Sequence, residues 1–281
     1  MLRALWLTLP FTMGDALGTA LASRSTPVQH MVVAGCWVLW AALAVALAVP
    51  HAITLTTIRL GVPGAVVVAA WASWHSNSSA SSIAGLVIAV VAGGLALSGF
   101  VADEYVDGSS YGDERRFALR VPGPLMLGPI PLAWAAVVTG ITIGPLWLAC
   151  ECWIRGIIGT AVGFTLAALA WRAVHTLSKR FVVFVPAGMT LVDPSTLIDA
   201  ILMPSRSVMT IGPAPADGNF LDLSQHALGL ALEVTLNEPF GMTLRRGRNE
   251  SEEVEASRIV FTPARPAAVL AEAARRRLGS R

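Results

Sequence analysis

Charge is what this sequence has least of. Only 14% of its 281 residues are Asp, Glu, Lys or Arg, against about 25% in an ordinary soluble domain, which argues against both a disordered chain and a typical cytosolic protein. Lysine is almost missing, with Lys179 standing beside nineteen arginines. Three cysteines are too few for a disulfide framework. A formal net charge of +2 is too small for the phosphate contacts that nucleic acid demands. What the chain has instead is 54% hydrophobic residues and a mean hydropathy of +0.64.

The charge is also unevenly placed. From Met1 to Val101 only Arg3, Asp15, Arg24 and Arg59 are charged, whereas thirteen of the twenty basic residues lie from Arg172 onward. This predicts a membrane region over 1–177 and a polar domain over 178–281. A helix needs about 20 apolar residues to cross the hydrocarbon, because its backbone groups must be satisfied internally. That length predicts an α-helical polytopic bundle of about six spans, near 4–22, 31–49, 53–71, 83–101, 130–150 and 154–173. Segment 53–71 passes through Pro63 and carries Arg59, so its apolar stretch should begin near Leu60.

Segment 4–22 has two readings. Arg3, the apolar run Leu5 to Met13 and Ala20-Leu21-Ala22 are similar to a secretory signal. The stretch Gly14-Asp15-Ala16-Leu17-Gly18 is a poor approach to a cleavage site, so a retained helix is expected. Either way, one side of the membrane receives Arg3, Arg59, Arg115, Arg116, Arg120 and the basic tail, and the other only Arg24 and Arg155. By the positive-inside rule the protein resides in the cell membrane with its C-terminal domain in the cytoplasm. The sequon Asn77-Ser78-Ser79 is discounted, since an Arg- and Ala-rich composition with one lysine suggests a GC-rich bacterium.

Beyond Lys179 the period changes. Phe181 to Val185, the turn Pro186-Ala187-Gly188 and Met189 to Val192 predict a hairpin. Further strands are expected at Ser207 to Ile211 and Phe220 to Leu223. From Leu228 to Leu236 the even positions are apolar, the alternation of a half-buried strand. Met242 to Arg245 and Arg258 to Phe261 should pair across an acidic loop, Glu250 to Glu255. After Pro263 a helix is expected from Pro266, with Val269, Leu270, Ala273, Ala274 and Leu278 on one face and Gly279 at its end.

Strands followed by one amphipathic helix is the order of a small α+β, antiparallel barrel. The residues Arg180-Phe181-Val182-Val183-Phe184-Val185, Met189-Thr190-Leu191, Arg206-Ser207-Val208 and Ile259-Val260-Phe261-Thr262-Pro263 resemble the bacterial PH-like domains that are attached to membrane helices. The whole chain is similar to uncharacterised actinobacterial multi-pass membrane proteins, notably through Tyr111-Gly112-Asp113-Glu114-Arg115-Arg116 and the Pro-rich run after it. The resemblance implies a scaffold or interaction domain. It carries over no catalytic motif, and inositide binding does not follow from it.

Candidate chemistry is sparse. The loop Ala102 to Gly123 places Asp103, Glu104, Asp107, Asp113 and Glu114 beside Arg115, Arg116 and Arg120. Five carboxylates suit a hard cation, but EF-hand spacing is absent and the arginines can neutralise them, so a solvated or tail-docking loop is preferred. Within it, Asp113, Glu114, Arg115 and Arg116 are the candidate interaction residues. Asp15, the one acidic residue in an apparent span, is the candidate for ion coupling. Arg245, Arg246 and Arg248 are candidates for headgroup contact, against a solvated loop balanced by Glu250, Glu252, Glu253 and Glu255. The run Val121 to Pro129 should not form a regular helix and lies at the interface or re-enters the membrane. Cys150-Glu151-Cys152 and the five histidines form no ligand set, and no nucleotide or protease motif occurs. The expectation is a noncatalytic membrane protein without cofactor or metal, whose partners are the bilayer and another protein. The alternative is a small transporter or channel using Asp15 and 121–129, with a membrane enzyme third.

Overall fold

The computed structural model describes residues 1–76, 79–215, 217–247 and 250–279. The chain divides into two compact units, Met1–Val101 with Pro131–Val174, and Ala102–Ile130 with His175–Arg281. The segment 102–129, expected as a loop between spans, therefore belongs with the tail, as does Ile130.

The first unit is helical. It contains α1 (Leu2–Leu21), α2 (Thr26–Ala48), α3 (Ala52–His75), α4 (Ala80–Ala96), most of α7 (Pro129–Ala149) and most of α8 (Trp153–Leu177). Among the described residues α2, α3, α7 and α8 are long and apolar enough to cross a membrane, and α4 makes a fifth if it and α5 (Gly99–Asp107) are one bent span. That is fewer than the six expected. Helix α1 runs unbroken through Pro10, but Arg3, Thr8, Thr12, Asp15 and Thr19 dilute its apolar character. His51 starts α3 with a reciprocal cap: its Nδ1 accepts the Ile53 N–H at 3.2 Å, and its own N–H donates to Thr54 Oγ1 at 3.1 Å.

Small residues bring these helices together. On α4 the face Gly85, Ala89, Ala92, Gly93 and Ala96 is buried, and Ala16, Ala20 and Ala72 form a cluster joining α1 to α3. Between α7 and α8, a methyl group at Gly140 would meet the Gly163 carbonyl oxygen at 2.4 Å. The backbones approach there as in small-residue contacts between membrane helices. Trp134 Nε1 ties α7 to α3 by donating to the Leu60 carbonyl at 2.9 Å.

The second unit holds two four-stranded sheets. The first, in the order β1-β2-β3-β4, consists of β1 (Arg115–Ala118), β2 (Phe181–Val185), β3 (Gly188–Val192) and β4 (Ile201–Pro204), all antiparallel. The second contains β5 (Val208–Pro213), β6 (Leu221–Asp222), β7 (Leu232–Arg245) and β8 (Ser251–Phe261), in the order β5-β7-β8-β6. Its β5-β7-β8 part is antiparallel, and β6 joins β8 in parallel. Helix α9 (Pro266–Arg275) follows, and a short α6 (Gly123–Leu127) precedes α7. One core fills the space between the sheets, built from Phe117 and Leu119 of the β1 segment, Val182, Phe184, Leu191, Leu232, Val234, Phe261, and Val269 of α9.

Strand β1 is the piece that sequence periodicity did not reveal. One edge pairs with β2, Phe117 facing Val182. Just beyond it the chain bonds to the segment after β8: Arg120 N–H donates to the Thr262 carbonyl and Ala264 N–H to the Ala118 carbonyl, each at 2.8 Å. Opposite, Ile198 N–H donates to Thr243 O at 3.1 Å and Arg245 N–H to Thr196 O at 2.8 Å. These bonds join the two sheets at both corners.

Three expectations are corrected. The strand expected from Leu228 begins at Leu232, because Gly229 adopts φ +126° and turns the chain, leaving Leu228 and Leu230 exposed. The acidic stretch 250–255 is not a loop: β8 begins at Ser251, and Arg245 pairs with Ser251 and Met242 with Val254. Its alternation explains this, since Val254 and Ala256 pack on the core while Glu253 and Glu255 stay exposed. The Pro-rich run does form one helical turn, α6, because Pro124 occupies an early position where its missing N–H costs nothing.

Leu232 is fully buried and Leu228 is 66% exposed, although both lie on the same sequence face. Leu232→Ala should cost about 2–5 kcal/mol, read as lost hydrogen-exchange protection of β7 and β8, and Leu228→Ala less than about 0.5 kcal/mol. A fragment starting at Lys179 lacks β1 and should not fold cooperatively; fusing 102–120 ahead of it should restore a cooperative transition.

Candidate functional site

The polar groups of the second unit converge where α5, β1 and the end of β8 meet. On a helix, residues four apart share a face, so Asp103 and Asp107 of α5 point the same way. Asp103 Oδ1 accepts the Ala118 N–H at 2.9 Å, and Asp107 Oδ1 accepts the Arg116 N–H at 2.8 Å. Successive outward N–H groups of β1 are thus capped by two carboxylates, which closes an edge that would otherwise offer itself for pairing. The second oxygens take arginines: Asp107 Oδ2 lies 2.7 Å from Arg115 Nη1, and Asp103 Oδ2 lies 3.5 Å from Arg265 Nη1.

The residues singled out in 113–116 lie at this seam and are engaged within the unit. Arg116 pairs with Glu114 at 3.0 Å and lies over the Phe181 ring, 5.5 Å from its centroid. The Asp113 carbonyl accepts a hydrogen bond from Arg276 Nη2. Arg276 and Arg275 both hold Glu272, at 2.6 Å each. The carboxylates of Asp103, Asp107 and Glu114 therefore accept from guanidinium or backbone N–H groups, and no group of three or more His, Cys, Asp or Glu able to hold a metal ion occurs among the described residues.

Next to β1 stands a charge pair that the sequence patterns did not show. Arg180 is 2% exposed and Asp193 2%. Arg180 Nε donates to Asp193 Oδ1 at 2.8 Å, Nη2 to Oδ2 at 2.7 Å, and Nη1 to the Arg120 carbonyl at 3.0 Å. Asp193 Oδ1 also accepts from Ser195 N at 3.0 Å and Ser195 Oγ at 2.5 Å. The readable signal was local: Asp193-Pro194-Ser195 has the composition of an Asx turn, in which the carboxylate bonds to the backbone two residues on. Nothing in the spacing linked Asp193 to Arg180.

The other candidates lie apart. Asp15 is exposed on α1, its carbonyl accepting from Thr19 Oγ1 at 2.9 Å. Arg246 pairs with Glu252 at 2.5 Å, both well exposed, and Arg245 is exposed at the end of β7. Arg248 lies outside the described residues, as do Asn77 and Ser78 of the sequon. Cys150 and Cys152 are exposed at the α7–α8 turn, where Glu151 adopts φ +62°.

Burial pushes the Asp103 carboxyl up to about 6, overcoming the opposing pull of the Ala118 N–H and Arg265. Two other carboxylates move the other way. The hydrogen bond from Arg258 holds Glu233 below its ordinary value, and that from Arg275 does the same for Glu272.

Truncating one partner of a buried pair strands the other charge, so Asp193→Ala should destabilise the sheet unit by about 3–5 kcal/mol, measured by hydrogen exchange of β2 and β3. Asp103 gives a pH dependence of opposite sign to most carboxylates. Folded Asp103 holds its proton more tightly than the ordinary 3.8, so its contribution is full below that pH and is lost as pH rises through about 6. The loss is at most about 3 kcal/mol, at about 1.4 kcal/mol per unit. Asp103→Asn keeps an acceptor for Ala118 and should flatten this falling limb in the exchange protection of β1. An unchanged pH profile would refute the assignment.

Comparison with protein-family models, with curated proteins and with solved structures finds no match to this chain.

Proposed function

We propose that this chain is a noncatalytic, multi-pass membrane protein whose sheet unit is a PH-like scaffold domain on the cytoplasmic face, holding a protein partner at the membrane. The observation that carries the reading is β1. With it, the unit has a four-stranded meander β1 to β4, a three-stranded antiparallel set β5-β7-β8 and a terminal helix. Apart from β6, which adds a parallel strand beside β8, this order supports a PH-like reading in which the helices α6, α7 and α8 are inserted between the first and second strands. The Tyr111 to Arg116 stretch that resembles actinobacterial membrane proteins leads into β1 itself.

The insertion gives the reading physical content. The chain crosses between the two units three times, at 101/102, 130/131 and 174/175, and three covalent connections, rather than one linker, support the scaffold reading. The positive-inside bias of the arginines supports the cytoplasmic side. A transporter using Asp15 and 121–129 draws no comparable support, since Asp15 is exposed on α1 and Met126 and Leu127 of α6 are exposed.

Two measurements test the proposal together. A reporter enzyme active only outside the cytoplasm should be silent when fused after Arg281 and active when inserted at Ala80; the reverse pattern overturns the orientation. A photoreactive amino acid at Leu202 on β4 or Met209 on β5, both partly exposed, should give a discrete protein adduct in native membranes. The same probe at Val38 or Val45 on α2 should give only lipid adducts. Absence of a protein adduct from every exposed position of the sheet unit would sink the scaffold reading.

A further inference from the structure

Helices α1, α2 and α3 line an apolar cavity of about 150 Å³ that is open on one side. Its walls include Met13 and Gly14 of α1, Cys36 and Trp37 of α2, and Ala65 and Ala69 of α3. Its origin can be traced to one residue. Pro10 has no N–H, so the Trp6 carbonyl four residues earlier loses its helical donor. Trp40 Nε1 takes that place, donating to Trp6 O at 3.1 Å, while Trp6 Nε1 donates to Trp40 O at 3.0 Å. This reciprocal pair fixes α1 to α2 by two large side chains, and the small residues Gly14, Ala65 and Ala69 beside it leave a space.

The chemistry of that space selects its occupant. The indole N–H groups of Trp6 and Trp40 are engaged with each other's backbone, which leaves the Cys36 thiol and the Trp37 indole at the exposed mouth as the polar groups of an otherwise apolar lining. Water needs two to four polar partners, and a dry apolar cavity of about 150 Å³ is known to admit benzene-sized apolar groups. The mouth is continuous with the apolar outer surface: Trp37 is 53% exposed, Val68 37%, and Gly14 is exposed. Depth decides the rest. At about 1.5 Å per residue, Val33 to Trp40 lie about 10–21 Å along α2, a helix about 34 Å long. That is near the middle of a hydrocarbon core about 30 Å thick, where the ends of lipid chains are the available apolar material.

We propose that this cavity is a binding site for the terminal segment of a lipid acyl chain, entering sideways past Gly14 and Trp37. The site is independent of the scaffold reading, since it uses no residue of the sheet unit. Bound hydrocarbon restores the packing contacts that an empty cavity forfeits.

The test uses the full chain in nanodiscs of phosphatidylcholine carrying a photoreactive diazirine either near the end of the acyl chain or near its carbonyl. After irradiation, adducts are located by mass spectrometry. The chain-end probe should label Cys36 or Met13 well above the lipid-facing Val38 and Val45, and the carbonyl-proximal probe should not. Gly14→Leu adds a side chain at a lining position where an added Cβ meets nothing within 4 Å. It should cut labelling of Cys36 by about tenfold, a change of about 1.4 kcal/mol, and leave Val38 and Val45 unchanged. Ala65→Leu is the second filling variant. Equal labelling of Cys36, Val38 and Val45 in the native protein, or labelling of Cys36 that survives a folded filling variant, would overturn the proposal.

Discussion

A guanidinium cannot shed its proton inside a protein, so Arg180, at 2% exposure, must find its acceptors within the fold. Asp193 at the end of β3 supplies two oxygens, and the carbonyl of Arg120, just past β1, supplies the third. The Arg180 carbonyl in turn accepts the Leu119 N–H at 3.0 Å. One side chain therefore penalises any state in which β1 has left the sheet, because the charge would lose an acceptor while buried. The core gives the same instruction by a nondirectional force: Phe117 stacks edge-on against Phe184 at 5.8 Å, and Leu119 is buried beside it. Burial and charge neutralisation agree on where the strand must lie.

With β1 in place, the acidic segment acquires its meaning. The carboxylates of Asp103, Asp107 and Glu114, which suit a metal ligand by composition, are acceptors for the strand's outer N–H groups and for arginines: Arg265 from the far end of the chain, and Arg115 and Arg116 from β1 itself. Arg276, also from the far end, donates to the Asp113 backbone carbonyl. Water is a good solvent for exposed pairs, and most of these contribute little each. Asp103 differs because burial raises the cost of its charge, which makes the stability of this junction fall as pH rises from the ordinary 3.8 to about 6.

The helical unit is governed by a different solvent. In hydrocarbon no hydrophobic force draws helices together, so close backbone approach and satisfied polar groups have to do it. The face of α4 from Gly85 to Ala96 and the Gly140–Gly163 contact supply the approach. Proline supplies the polar side: Pro10 frees a carbonyl, and Trp40 from the next helix fills it. A residue that weakens one helix thus fixes its neighbour.

Much of this was readable in one dimension. Long apolar runs, the hairpin at Phe181 to Val192 and the terminal helix with Val269 and Ala273 inward follow from periodicity, because each forms among near neighbours. Reading failed where a local pattern had a distant cause. Leu228 and Leu230 continue the alternation of Leu232 and Val234, but Gly229 turns the chain before the strand begins. The carboxylates of 250–255 look like a loop until Val254 and Ala256 find the core. The sequence by itself determined which segments are apolar enough for a membrane and which alternate as strands. Only the tertiary structure decided that Arg115–Ala118 joins strands more than sixty residues away, that Arg180 pairs with Asp193, and that three helices leave an apolar cavity. Partners in these contacts are chosen by what is buried together, and composition and spacing do not record that.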